Sequence, residues 1–160
     1  MGFLSTIIVV DDVLKSRTLY EGILGCKVTD DFGVYNVGFE GGLALYKRTL
    51  FQELAGDIEI KPSANDFVLY FEVEAINVFE KEIEDAGFTF IHKVREQPWG
   101  QNVFRFYDYD NHIIEIAEAM AGVVKRMYDK GMTVTDIAQK TGYTEDKVMQ
   151  KLNDAAGSAS

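Results

Sequence analysis

An internal repeat constrains the fold more than any other feature of this sequence. In the first copy, the β-branched run Thr6–Val10 ends at two aspartates, and apolar residues at helical spacing then continue as far as Gly25. In the second copy, the run Phe67–Val73 leads into another apolar helical pattern, which stops at Gly87. The strand end and the glycine are 15 positions apart in the first copy and 14 in the second. The repeat therefore predicts two modules that begin alike.

Each copy then continues with three strand patterns. These patterns are Lys27–Thr29, Val34–Phe39 and Leu43–Lys47 in the first copy, and Thr89–Val94, Asn102–Tyr107 and Ile113–Ala117 in the second. We predict an α+β domain over residues 1–120, with tandem βαβββ modules at about residues 3–53 and 65–118 and a linker over residues 52–65. One face of each sheet packs on its helix and the other faces the twin module, which predicts a half-barrel with a concave cavity.

After Ala119 the apolar period changes to that of helices, which predicts a helical tail over residues 121–155. Gly131 is expected to end its first helix, Thr133 or Thr135 to cap the second, and Thr144 to cap a third. The last residues, 155–160, are expected to be frayed. The segment 133–148 is similar to the helix-turn-helix of bacterial regulators. Acidic residues surround its recognition position, so DNA binding is disfavoured.

Composition narrows the range of partners. The formal net charge of −10 disfavours nucleic acid and anionic membranes, because both repel an acidic surface. No apolar run approaches the length that spans a bilayer. The single cysteine, Cys26, cannot form an internal disulfide and is interpreted as a small buried residue rather than a nucleophile. The expected location is the cytoplasm.

Two motifs carry a resemblance to a known family. The first strand closes with Val-Asp-Asp at residues 10–12, and the second module closes with Pro-Trp-Gly-Gln at 98–101 and Phe-Arg-Phe-Tyr-Asp-Tyr-Asp-Asn-His-Ile-Ile-Glu-Ile at 104–116. This pattern resembles the vicinal oxygen chelate superfamily, which contains glyoxalase I, bleomycin-resistance proteins, fosfomycin-resistance transferases and extradiol dioxygenases. The resemblance covers about residues 3–118 and implies a small-molecule cavity and a homodimer. It leaves the reaction open, because one scaffold hosts many chemistries.

The resemblance also implies where a metal would bind. Metal-dependent members present two histidines and one or two glutamates, and the histidine positions fall on Ser5 and Val68 here. Glu115 is the only matching ligand position, because strand alternation places Ala44 and Tyr46 at the remaining one. A single carboxylate does not hold a transition metal, so we expect no metal or other cofactor. A divalent metal bound by Glu115, alone or with His92, stays open.

The same comparison directs other side chains into the predicted cavity. Arg105 and Val103 point inward with Glu115, and Trp99 lies at the rim. The candidate ligand-binding residues are Ser5, Tyr46, Val68, Tyr70, Trp99, Val103 and Arg105. Arg105 and Glu115 form either a structural ion pair or a carboxylate clamp beside a hydrogen-bond acceptor or base. The aromatic residues either stack on a ligand or fill a core.

Three functions from different classes follow. The first is a metal-free protein that binds an aromatic or carboxylate-bearing small molecule. The second is a lyase, isomerase or hydrolase of the glyoxalase type that uses Glu115 as its base, with or without a metal. The third is an effector-binding transcriptional regulator that uses the tail.

Overall fold

The chain adopts the α+β fold that the repeat predicts, with two βαβββ modules followed by helices. The computed structural model describes residues 2–56, 58–61 and 65–157. The first module contains β1 (Thr6–Val10), α1 (Val13–Arg17) with a π-helical continuation (Thr18–Ile23), β2 (Val28–Asp31), β3 (Asn36–Phe39), β4 (Leu43–Lys47) and α2 (Arg48–Leu54). The second contains β5 (Val68–Val73), α3 (Ile76–Asp85), β6 (Phe90–Glu96), β7 (Asn102–Tyr107) and β8 (Ile113–Glu118). The tail contains α4 (Met120–Asp129), α5 (Val134–Thr141) and α6 (Glu145–Gly157).

The first sheet has the strand order β1-β4-β3-β2 and buries one of its two faces. β1 and β4 are parallel, and the register pairs Ile8 with Leu45. These side chains are buried, as is Val37 opposite Leu45 on β3. Tyr20, from the helical segment, packs its ring 6.3 Å from the ring of Phe39. Alternation places Tyr46 on the opposite face, where its ring lies 6.2 Å from that of Phe51 on α2.

The second sheet repeats this arrangement, with the order β5-β8-β7-β6. Its buried face is aromatic: the rings of Phe104 and Phe106 stack 6.1 Å apart, and Phe90 lies 5.7 Å from Phe104. Ile76 and Ile83 of α3 are also buried. α3 ends just before Gly87, whose positive φ of 78° closes the helix in a conformation that favours glycine.

The turn between β7 and β8 is organised by a buried carboxylate. Asp108 accepts hydrogen bonds from the Tyr20 hydroxyl at 2.7 Å and from the backbone N–H groups of Asp110 and His112. The His112 ring nitrogen Nδ1 lies 2.8 Å from the same carboxylate. Burial and this carboxylate raise the pKa of Tyr20 well above its ordinary value. These bonds join the turn to the first helical segment, so residues 107–113 belong to the first of two compact units.

The tail forms its own apolar core within the second compact unit, which consists of Val68–Phe106 and Ile114–Ser160 as far as these residues are described. That core contains Met120, Val123, Val124, Met127, Ile137 and Val148. Thr133 caps α5 in a capping box with Asp136, as one of the two predicted caps. Gly142 then adopts a left-handed conformation between α5 and α6. None of the described helices is long and apolar enough to cross a membrane.

The eight predicted strands are all present, with ends that differ from the prediction by at most two residues. Two local expectations were wrong. The predicted linker contains the end of α2, a helix with no buried residue whose apolar side chains Leu50, Phe51 and Leu54 give only a short periodic signal. The end of the chain is more ordered than expected, since α6 continues to Gly157; residues 158–160 of that prediction, and Pro62 and Ser63 of the linker, lie outside the described residues.

The tail packs tightly over Gly100, which gives a prediction about stability. A Cβ at Gly100 would lie 2.0 Å from the terminal methyl of Met127, and the φ of Gly100 is +86°. Gly87 has a similar φ of +78° with open space around it. We expect Gly87→Ala to lose about 1–2 kcal/mol from backbone strain alone. Gly100→Ala should lose about 1–3 kcal/mol more, because buried Met127 must repack.

Urea unfolding of both variants measures this difference in the free energy of unfolding. Equal losses in the two variants would show that Met127 moves aside without cost and that the tail does not constrain this turn.

Candidate functional site

The uncovered face of the second sheet carries the polar side chains that the sequence analysis singled out. Along β5, the exposed residues alternate and are Val68, Tyr70 and Glu72. Arg105 on β7 and Glu115 on β8 are partly buried between fully buried neighbours. This alternation separates a polar face from the aromatic face that packs on α3.

Arg105 is the centre of this face. Its Nε and Nη2 atoms each lie 2.5 Å from Oε2 of Glu115, and its Nη1 lies 2.8 Å from Nε2 of His92. The Arg105 and Glu115 side chains are 24% and 14% exposed. Because a guanidinium only donates, Nε2 of His92 is the acceptor. The proton of neutral His92 is then on Nδ1, which donates to the Lys93 carbonyl at 2.9 Å.

A second group of hydrogen bonds fixes Tyr70. Its hydroxyl donates to Glu72 at 2.8 Å and accepts from the side-chain amide of Gln101 at 3.0 Å. Burial raises the pKa of Tyr70 to about 12; the Gln101 hydrogen bond opposes this rise, and the carboxylates of Glu72 and Glu115 add to it. The Tyr70 residue is nevertheless 50% exposed, so its ring is available to a ligand.

A groove of about 430 Å³ lies on the face of the first sheet opposite buried Leu45. Ser5, Ala44 and Tyr46 line this groove together with Ile7 and Asn36. The register explains the grouping, because Val9 and Asn36 both pair with Tyr46 on the side opposite buried Leu45. A neighbouring cavity of about 400 Å³ shares Tyr46 and is almost entirely apolar.

The structure thus brings the predicted residues together in two groups. Ser5 and Tyr46 lie in the first compact unit, and the remaining candidates lie in the second. Trp99 packs against the tail core, and Val103 is fully buried. Direct ligand contact by either residue stays a prediction.

Sequence reasoning named His92 without placing it on a face, and it assigned no role to Gln101. The side of the sheet on which His92 lies was not predictable, because the register of β6 against β7 shifts on both sides of this residue. Gln101 was not singled out, although it directly follows the Pro-Trp-Gly motif. Its role depends on partners distant in sequence, Tyr70 and Glu118.

The residues at the family's metal-ligand positions do not fit a metal. Val68 has no donor atom, and Oε2 of Glu115 is already bound by the Arg105 guanidinium, a fixed cation. His92 faces the same guanidinium rather than sharing a vacant position with Glu115. Within residues 2–56, 58–61 and 65–157, no group of three or more His, Cys, Asp or Glu side chains is arranged to hold a metal ion.

Comparison with known families decides the classification. The family model described as a glyoxalase-like domain matches residues 3–121, which is most of the chain and both modules. This chain belongs to the glyoxalase-like family of the vicinal oxygen chelate superfamily. The resemblance inferred from the two closing motifs is therefore confirmed, and the tail beyond residue 121 lies outside the matched range.

Solved structures agree with this classification of the glyoxalase-like chain. A protein of unknown function from Agrobacterium tumefaciens is 34% identical, with a TM-score of 0.66 over 74% of this chain and 94% of that one. A glyoxalase-related enzyme from Fulvimarina pelagi is 19% identical, with a TM-score of 0.65 over 76% of this chain and 90% of that one. A lactoylglutathione lyase from A. tumefaciens is 16% identical, with a TM-score of 0.57 over 74% and 94%. The last two show the fold alone. A comparison with curated proteins gave no match.

The occupied carboxylate of Glu115 gives a prediction about metal content. We expect the purified glyoxalase-like protein to retain no stoichiometric Zn²⁺, Ni²⁺, Mn²⁺ or Fe²⁺ after incubation and desalting, because the ligand set is incomplete and Arg105 already binds the remaining carboxylate. Elemental mass spectrometry of the wild type and of Glu115→Gln measures this. One equivalent of metal in the wild type that disappears in Glu115→Gln would contradict it.

Proposed function

We propose that this glyoxalase-like protein binds a small molecule that carries a carboxylate and an aromatic ring, and that it does so without a metal. The proposed site is the uncovered face of the second sheet, with Arg105 as the anchor for the carboxylate. The observation that carries this proposal is the Arg105 guanidinium, which is held by His92 and by Glu115, the residue at the family's metal-ligand position.

The geometry of Arg105 supports the role of an anion clamp. A guanidinium presents five N–H donors in one plane, and a carboxylate binds two of them side by side. Contacts with Glu115 and His92 on different edges hold this plane in one orientation. The binding group is therefore preorganised, which reduces the entropy lost when a ligand binds.

The surroundings of Arg105 support the aromatic part of the ligand. Tyr70 and Val68 are 50% and 47% exposed on the same face, and an aromatic ring packs favourably against such side chains. Glu72 and Glu115 add carboxylates on this face. They would accept hydrogen bonds from hydroxyl or amino groups of a ligand and would disfavour a second negative charge.

The test is a binding measurement with benzoate, salicylate, phenylacetate and phenylpyruvate, first by thermal shift and then by calorimetry. Hydrogen bonds to a charged group contribute about 1.5–3 kcal/mol, so Arg105→Ala should weaken binding by about 10-fold to 150-fold. Arg105→Lys should restore only part of the affinity, because an ammonium lacks the planar pair of donors.

Arg95→Ala is the matched control, since Arg95 is an exposed arginine on neighbouring β6. Its affinity should equal that of the wild type. The proposal is refuted if a compound raises the melting temperature of Arg105→Ala as much as that of the wild type. It is also refuted if none of the compounds raises the melting temperature of the wild type.

A glyoxalase-type lyase or isomerase is the second candidate. It is favoured by the position of Glu115, a partly exposed carboxylate on the same face as the Tyr70 hydroxyl. Proton abstraction by Glu115 would first require its pair with Arg105 to open. Consumption of methylglyoxal with glutathione by the wild type, abolished in Glu115→Gln, would establish this function. If neither the wild type nor Glu115→Gln, at micromolar protein concentration, consumes methylglyoxal and glutathione, this function is excluded for this substrate pair.

A further inference from the structure

The turn between β6 and β7 lies between the proposed binding face and the tail. Gln101, at its end, is 3% exposed, and its side-chain amide is fully engaged. Nε2 donates to the Tyr70 hydroxyl at 3.0 Å and to the Glu118 carbonyl at 2.8 Å, while Oε1 accepts from the Trp99 indole at 2.8 Å. One amide therefore joins Tyr70 on the binding face to Trp99.

The tail holds the other side of this turn. Trp99 packs against the apolar core of the tail helices. Nη2 of Arg126, on α4, donates to the Gly100 carbonyl at 2.9 Å and to the Glu118 carboxylate at 2.8 Å. Gly100 has room for no side chain, because Met127 lies against it. The position of Gln101 is thus set by α4 through its two preceding residues.

The hydrogen bonds of Gln101 are mutually dependent. A primary amide has two N–H donors, and here each has one protein acceptor. If a ligand draws the Tyr70 hydroxyl oxygen away from Gln101, one N–H of a nearly fully buried amide loses its acceptor, which is unfavourable. The amide can regain a partner only by moving, and this movement would disturb Trp99 in the tail core.

We propose that the packing of the helical tail depends, through Gln101, on whether the Tyr70 hydroxyl accepts the Gln101 hydrogen bond. Gln101 and Arg126 are positioning residues: α4 orients Gln101, and Gln101 orients Tyr70 for the ligand. Because such coupling is reciprocal, a ligand that takes the Tyr70 hydroxyl loosens the packing of the tail, and a loosened tail changes ligand affinity. This inference rests on the proposed function, which places Tyr70 on the binding face.

A double-mutant cycle without ligand tests the coupling. Tyr70→Phe removes only the hydroxyl, and Arg126→Gln removes the contacts of α4 with Gly100 and Glu118. If the tail and the hydroxyl are coupled, the unfolding equilibrium constant of the double variant will differ by at least about threefold from the product of the two single effects. Lys125→Gln is the control on the same helix, since Lys125 is exposed and pairs with Asp129. Its combination with Tyr70→Phe should agree with the product within about twofold.

The same cycle in a Gln101→Met background identifies the route. The coupling should fall to within twofold of additivity there, because the connecting amide is gone. Additive behaviour of Tyr70→Phe and Arg126→Gln in the wild-type background would overturn the proposal, as would coupling that persists in Gln101→Met. If Gln101→Met does not fold, the emission of Trp99, the single tryptophan of the chain, decides the route in the wild-type background. Tyr70→Phe should shift this emission and Tyr35→Phe should not; no shift would overturn the proposal.

These outcomes are distinguishable from failure of the proposed function. The cycle uses no ligand and no substitution of Arg105. The experiments can therefore show carboxylate binding at Arg105 without coupling to the tail. They can equally show coupling to the tail without carboxylate binding.

Discussion

Each sheet of this protein depends on one constraint: strand side chains alternate, and one face of each sheet carries the apolar core. In the first module, Ile8, Val37 and Leu45 share the covered face, and in the second module Phe104 and Phe106 do so. Burial of these apolar side chains is the main favourable contribution to folding. The opposite faces are thereby left for other uses. Groups as different as a guanidinium and a half-exposed tyrosine are tolerated there because they do not disturb the core.

An ion pair between Arg105 and Glu115 neutralises the charge of both side chains on the uncovered face of the second sheet. A lone carboxylate on a half-buried face needs a cation, and related metal enzymes meet this need with a divalent metal and additional histidines. In this chain the cation is the Arg105 guanidinium, which reaches Glu115 from the adjacent strand. Under the proposed function, this guanidinium recognises a ligand carboxylate by hydrogen bonding. The fold is unchanged by this exchange, which is consistent with the broad chemistry that this scaffold supports.

The tail adds a layer that the two modules do not supply. Trp99 packs against its core, Arg126 of α4 binds Gly100 and Glu118, and Gln101 donates to Tyr70. The turn before β7 is therefore held by contacts with the tail as well as by the sheet. Packing on one side and a saturated buried amide on the other leave Gln101 little freedom, because a displaced amide would lose hydrogen bonds that no solvent replaces.

The sequence by itself determined the module order and the strand pattern, because apolar periodicity and turn residues are local signals. Its closing motifs indicated the family by resemblance. The family resemblance placed Arg105 and Glu115 in one cavity, and strand alternation supported this facing. Only the tertiary structure decided the orientation of His92, because irregular pairing along β6 breaks the alternation rule. Only the tertiary structure brought Gln101 to Tyr70 and Trp99 to the tail, since those contacts join residues whose positions depend on the packing of separate elements. The short helix α2 falls between these cases: its few apolar residues give a weak local signal, and none of them is buried.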